Sequence, residues 1–285
     1  MDDSELFAAA QRLPTTRRPL LGLTILVVED SRFACEALRL LCLRSGARIR
    51  RADCLKSARR HLQVYRPSVL IADVGLPDGS GLDLIRELAE ASPRPGVILA
   101  TSGDPTLEEA ALEAGAGGFL EKPITSLAAF QQEILSNLPP DRQLSGPRAL
   151  DDETVEPDFL AYRDDMAHAA DVLNMGQEEK TLAYLAQFLG GVARSAGDNP
   201  LAEAADRLAR SRRKGKPLTQ DAATLAGLVQ ERLAARRSDM IEACLIALAT
   251  LVIVLYGQTR LEARAIRRNR GGTESRALIL SSRNQ

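Results

Sequence analysis

Between residues 23 and 138 one pattern recurs five times: a short aliphatic run of strand length, then a longer stretch with helical spacing. The strand runs are LTILVVED, SVLIAD, GVILATSG and GGFLEK, with ARIRRA a weaker one in second place. Between and after them stand FACEALRLLCLRS, CLKSARRHLQVY, GLDLIRELAEA, TLEEAALEAG and SLAAFQQEILSNL. Parallel neighbours need a crossover of a dozen or more residues, which a helix supplies. Five such units therefore predict a parallel sheet covered on both faces by helices. In sheets of this kind the chemistry gathers at the carboxyl ends of the strands.

The rest of the chain divides differently. Residues 1–22 mix charge with Pro14 and Pro19 and read as a leader, and MDDSELFAAAQRL, acidic and without a long apolar run, does not read as a signal peptide. Residues 139–156 are rich in proline and charge, have no periodicity, and read as a linker. Over 157–238 four helical stretches are predicted, at 158–174, 178–196, 200–211 and 220–237. The first carries Phe159, Tyr162, Met166, Ala170 and Leu173 on one stripe. The fold class is thus α/β followed by all-α, with a four-helix bundle expected in the second part.

Residues 239–270 are an apolar helix that turns basic, and 271–285 read as a disordered tail. The run from Met240 to Gly257 is shorter than the roughly 20 residues of a membrane span, and Glu242 interrupts it. A span would also place Arg260, Arg264, Arg267, Arg268 and Arg270 across the membrane from the α/β part. A buried or self-associating helix is the expectation; membrane association through 240–257 and a homodimer are left open.

With a net charge of −1 the chain has no bulk attraction to nucleic acid or acidic lipid. The basic run SRRKGK, 211–216, reads as a solvated loop between helices, so no nucleic-acid partner is expected. The four cysteines form no CxxC pair, as in a reducing compartment, and a cytoplasmic protein is expected.

Placed on the predicted sheet, Glu29 and Asp30 follow the first strand, Asp73 ends the third, Thr101 the fourth and Lys122 the fifth. All five meet on one rim. Carboxylates gathered this way suit a hard divalent cation, and Mg²⁺ can also bridge to a phosphoryl oxygen. A carboxylate held there can act as nucleophile toward a phosphoryl donor, giving an aspartyl phosphate. Lys122 and the Thr101 hydroxyl would hold the remaining phosphoryl oxygens.

The motifs VVEDS, IADVGLPDGSGLDLI, ILATSG and GAGGFLEKP, in this order, resemble the receiver domain of two-component response regulators over about residues 23–138. The resemblance implies a flavodoxin-like (βα)5 fold with Asp73 as phosphoacceptor. It implies that Glu29, Asp30, Asp73 and the Gly75 backbone carbonyl bind Mg²⁺, that Thr101 and Phe119 form a switch pair, and that Lys122 and Pro123 are joined by a cis peptide. A sensor histidine kinase or phosphotransfer protein is the implied phosphodonor. The switch would alter the face made by the fourth helix, fifth strand and fifth helix.

The helical part resembles a histidine-phosphotransfer domain over about residues 156–237. The run Gln187-Phe188-Leu189-Gly190-Gly191, with Gly197 further on, stands where that family has His-x-Leu-Lys-Gly and a distant glycine. Gln187 replaces the phosphorylatable histidine and Gly190 the lysine. An amide is too weak a nucleophile to take phosphate, so the domain is expected to dock without relaying. Paired glycines cost a helix roughly 1 kcal/mol each, and both close helix packing and docking against a receiver would repay it. The expected function is a response regulator without an output enzyme, signalling through protein contacts of this domain to a downstream partner. The alternatives are an active relay onto a histidine, with His168 the candidate in the first helix, or a DNA-binding regulator.

Overall fold

The computed structural model describes residues 14–139, 142, 153–176 and 178–234. The expected apolar helix, the tail, most of the leader and most of the linker lie outside these residues. The first part is built of β1 (Thr24–Val28), α1 (Arg32–Ser45), β2 (Arg48–Ala52), α2 (Leu55–Val64), β3 (Val69–Asp73) and α3 (Gly81–Glu90). It continues through β4 (Val97–Ser102), α4 (Glu108–Glu113), β5 (Gly118–Glu121) and α5 (Leu127–Ser136). The five strands of the main sheet are parallel, in the order β2-β1-β3-β4-β5, as expected of the flavodoxin-like fold, and a short antiparallel pair, Gly75–Leu76 with Gly79–Ser80, follows β3.

Burial explains the strand composition. Every residue of β3 and β4 is buried, and both are continuous hydrophobic runs up to their polar last residues. The edge strand β2 instead carries Arg48, Arg50 and Arg51, which face water and discourage a further strand from pairing. Two cores result. One, with Leu38, Leu41, Phe130 and Ile134, lies under α1 and α5; the other, with Leu55, Leu84, Ile85 and Ala111, lies under α2, α3 and α4.

Two boundaries differ from expectation. Leu20, placed in the leader, is fully buried in the first core, and its amide donates to the Ser45 carbonyl. Val155, placed in the linker, joins the same core, and its amide donates to Thr125 while Leu127 donates to Glu153. Val155 is an isolated apolar residue in a polar stretch, so periodicity carries no sign of it, whereas Leu20 opens the Leu20-Leu21-Gly22-Leu23 run that leads into β1.

Beyond the linker the described residues are helical: α6 (Phe159–Met175), α7 (Glu179–Ala196), α8 (Asn199–Arg213) and α9, over 219–234. Asp158 caps α6 by accepting from Leu160, and Asp198 caps α8 by accepting from Leu201. Gly197 ends α7 in the left-handed conformation, φ 70°, which glycine adopts without a Cβ penalty. Leu185, Leu189 and Val192 of α7 are buried together with Met166, Leu201, Leu208, Leu225 and Val229. The helices through Arg232 and the α/β layers pack as one compact unit. No helix among the described residues is long and apolar enough to cross a membrane.

Candidate functional site

The site grows from three strand ends. Glu29 and Asp30 leave β1, Asp73 is the last residue of β3, and Lys122 follows β5. One carboxylate oxygen from each of Glu29, Asp30 and Asp73 lies within 4.8 Å of the other two. The Lys122 Nζ is 2.7 Å from Glu29 Oε2 and 3.2 Å from Asp73 Oδ1. Glu29, Asp73 and Lys122 are buried. The peptide between Lys122 and Pro123 is cis, as the resemblance implied.

Three carboxylates and one ammonium leave the buried cluster short of positive charge. Burial pushes the Asp73 carboxyl up to about 7, with Glu29 adding to the shift and Lys122 opposing it. Asp30 is held well above the usual carboxylate range by burial and by Glu29 and Asp73. Burial alone would lower Lys122, but Asp73, Glu29 and Asp30 outweigh it and hold the ammonium charged. These oxygen donors, repelling one another, fit a divalent cation such as Mg²⁺, which would relieve the repulsion.

Thr101 ends no farther from this rim than expected, since it pairs with Asp73 in the β3–β4 ladder. Its hydroxyl, however, donates to the Leu120 carbonyl at 2.8 Å rather than standing among the carboxylates. Phe119, its expected switch partner, is half-buried against the second core. Holding a phosphoryl oxygen would require the Thr101 side chain to rotate.

The helical domain sits on the same rim. Tyr184 of α7 donates its hydroxyl to Asp30 Oδ2 at 2.7 Å, and His168 Nε2 lies 3.1 Å from that hydroxyl. Asp165 of α6, 1% exposed, accepts from the Ser31 hydroxyl and the Arg32 amide, both at 2.7 Å, and from the Phe33 amide at 3.1 Å. Its charge thereby meets the amides at the start of α1 that have no partner within the helix, where an anion is favoured. Burial still pushes the Asp165 carboxyl up to about 6. Arg32 and Asp164 add an exposed ion pair at 2.7 Å.

The glycine pair separates into two roles. Gln187 and Gly191 line the small cavity of about 30 Å³ above Asp73 and Lys122. A Cβ at Gly75 would overlap the Gln187 amide, which brings position 187 against the loop after β3. Nothing lies within 4 Å of a Cβ built on Gly191, so that residue leaves space over the pocket. Gly190 is buried and points elsewhere: a Cβ there would approach Ala205 of α8 and the Arg194 guanidinium. A side chain at position 190 would therefore leave the helix on its α8 side, next to Arg194. Arg194 supplies a cation at the cavity wall instead.

Asp165, Tyr184 and Arg194 escaped the sequence reading. The available signal was spacing, since Tyr184, Gln187, Gly191 and Arg194 recur at three or four residues along one face of α7.

Residues 25–134 match the family model described as "Response regulator receiver domain". The chain is 31% identical over 157 residues to the KDP operon transcriptional regulatory protein KdpE of Escherichia coli, covering 54% of this chain and 65% of that protein. An uncharacterized 14.6 kDa protein of Leptolyngbya boryana is 31% identical over 127 residues, 43% of this chain and 97% of its own length. The signal receiver domain of a signal transduction histidine kinase from Syntrophus aciditrophicus matches with 28% identity and a TM-score of 0.37, over 45% of this chain and 99% of that one. The chain thus spans less than two thirds of KdpE, and the matched family region ends before the helical domain begins. Over residues 25–134 the chain belongs to the response regulator receiver domain family.

Proposed function

We propose that the chain is a response regulator phosphorylated on Asp73 by a sensor histidine kinase or a phosphotransfer protein. The observation that carries this reading is the buried Asp73 carboxylate at the end of β3, with Glu29 and Asp30 beside it and the Lys122 ammonium 3.2 Å away. Glu29, Asp30 and Asp73, with the Gly75 carbonyl, would hold Mg²⁺, which neutralises charge on a phosphoryl group when bound. An Asp73 oxygen attacks the donor's phosphorus and the bond to the donor breaks, leaving an acyl phosphate on Asp73. Lys122 balances the added charge, and the Thr101 hydroxyl turns from Leu120 to the phosphoryl oxygens.

The rearrangement of Thr101 and Phe119 then alters the surface of α4, β5 and α5. The helical domain is a degenerate phosphotransfer domain in this reading, and the output is a protein contact rather than a separate enzymatic activity. Gln187 supports it, since position 187 lies at the pocket with a side chain that cannot accept phosphate.

A transcriptional output is the second reading, because the name of KdpE states one for that protein. Arg210, Arg212, Arg213, Lys214 and Lys216 are all exposed around the end of α8, and a basic surface of this kind favours it. Salt-dependent binding to duplex DNA would bring this reading forward.

The purified chain, incubated with acetyl phosphate and Mg²⁺, is expected to acquire a hydroxylamine-sensitive label that Asp73→Asn lacks. An undiminished label in folded Asp73→Asn would refute the assigned acceptor. An acid-labile label that also needs Asp73 would mean that a histidine takes the phosphate onward.

A further inference from the structure

Helices α6 and α7 occupy the face of the receiver from which a phosphodonor must approach. Asp165 is buried against the start of α1, Tyr184 binds the Asp30 carboxylate, and the Gln187 amide covers the Gly75 loop. Arg194 closes the far side, where a Cβ on Gly103 would meet its guanidinium at 3.0 Å. The space left above Asp73 is a cavity of about 30 Å³. That is room for two or three ordered waters, at about 10–15 Å³ each on this measure. A phosphohistidine carried on a donor protein's helix is far larger. The covering helix carries no histidine; it brings the Gln187 amide, the Tyr184 phenol held on Asp30 and the Arg194 guanidinium.

We infer that the helical domain is a cap that acts in cis: it closes Asp73 to phosphodonors, and phosphorylation requires α7 to lift from the rim. The inference rests on the reading of Asp73 as phosphoacceptor. Its metal side has a separate footing, because Tyr184 holds one oxygen of Asp30 while the domain is docked. A cation drawing on that carboxylate competes with the phenol for it, so lifting the cap also strengthens cation binding. Protein donors meet a further obstacle, since a phosphotransfer helix would need the place that α7 already fills.

Two variants of the full chain release the cap from different sides. Asp165→Ala removes the acceptor that holds the start of α1. Gly191→Trp wedges a large side chain into the space above the pocket; it is an exchange of glycine inside a helix, which favours the helix, and the chain has no other tryptophan. For each variant and wild type, the initial rate of hydroxylamine-sensitive labelling by acetyl phosphate is measured with saturating Mg²⁺. Mg²⁺ affinity is measured separately by calorimetry, and folding by circular dichroism. Both folded variants are expected to label at least 10-fold faster and to bind Mg²⁺ several-fold more tightly. Unchanged rates in folded variants, with wild type labelling normally, would overturn the cap while leaving Asp73 as acceptor. If no protein labels, the phosphoacceptor reading fails and the closure against phosphodonors falls with it, leaving only the competition for Asp30, which tighter Mg²⁺ binding by the variants would support. Unchanged affinity would end it too.

Discussion

At pH 8 and without divalent cation, Asp73→Asn is expected to unfold later than wild type, by on the order of 2 kcal/mol. The wild-type carboxyl is pushed up to about 7 by burial, whereas an unfolded aspartate titrates near the ordinary carboxylate value. A folded-state pKa raised in this way means that the folded state holds its proton longer than the unfolded one. Stability is therefore full below the unfolded pKa and is lost as pH rises from about 4 through about 7. Asparagine removes the charge and with it that loss. Urea midpoints of the two proteins should thus converge near pH 4 and separate toward pH 8. A gap of constant size across this range would show that the carboxyl is not shifted. Adding Mg²⁺ should narrow the gap at pH 8 by stabilising wild type alone.

The opposite sign is expected one side chain away. Lys122→Ala should cost about 3–5 kcal/mol above pH 7, because it leaves Glu29 and Asp73 buried without their cation. Acidification should return part of this loss as the carboxylates take up protons, and Mg²⁺ should return part of it by supplying the missing charge. Denaturant titrations at pH 5 and pH 8, with and without Mg²⁺, read all three effects. A variant as stable as wild type at pH 8 without Mg²⁺ would mean that water already solvates the pocket. Removing an anion stabilises this pocket and removing the cation destabilises it, which is what a cluster short of positive charge requires.

The receiver was legible because its determinants are local. β1, β3 and β4 announce themselves by unbroken aliphatic runs, and the reactive side chains follow at the strand ends, so order along the chain gives position on the rim. What joins the two parts is not local. Tyr184 and Asp30 are separated by 154 positions, Asp165 and Ser31 by 134, and neither tyrosine nor aspartate on a helix is unusual enough to signal a partner. The paired glycines drew attention to the right helix face, but only the helix rotation shows that Gly191 looks onto the pocket and Gly190 onto α8. Val155 has no period to reveal it for a related reason, as it is one apolar residue in a polar stretch.

The pairing of Glu153 and Val155 with the turn before α5 fixes the chain only three residues ahead of the cap of α6. A helical domain that lifts from the rim is therefore tethered beside it, and its return is an intramolecular event. Short tethers give effective concentrations on the order of millimolar. Any partner that competes for the same rim must overcome this local concentration as well as the contacts themselves. Weak encounters at low abundance lose that competition, so a tether of three residues filters which signals reach Asp73.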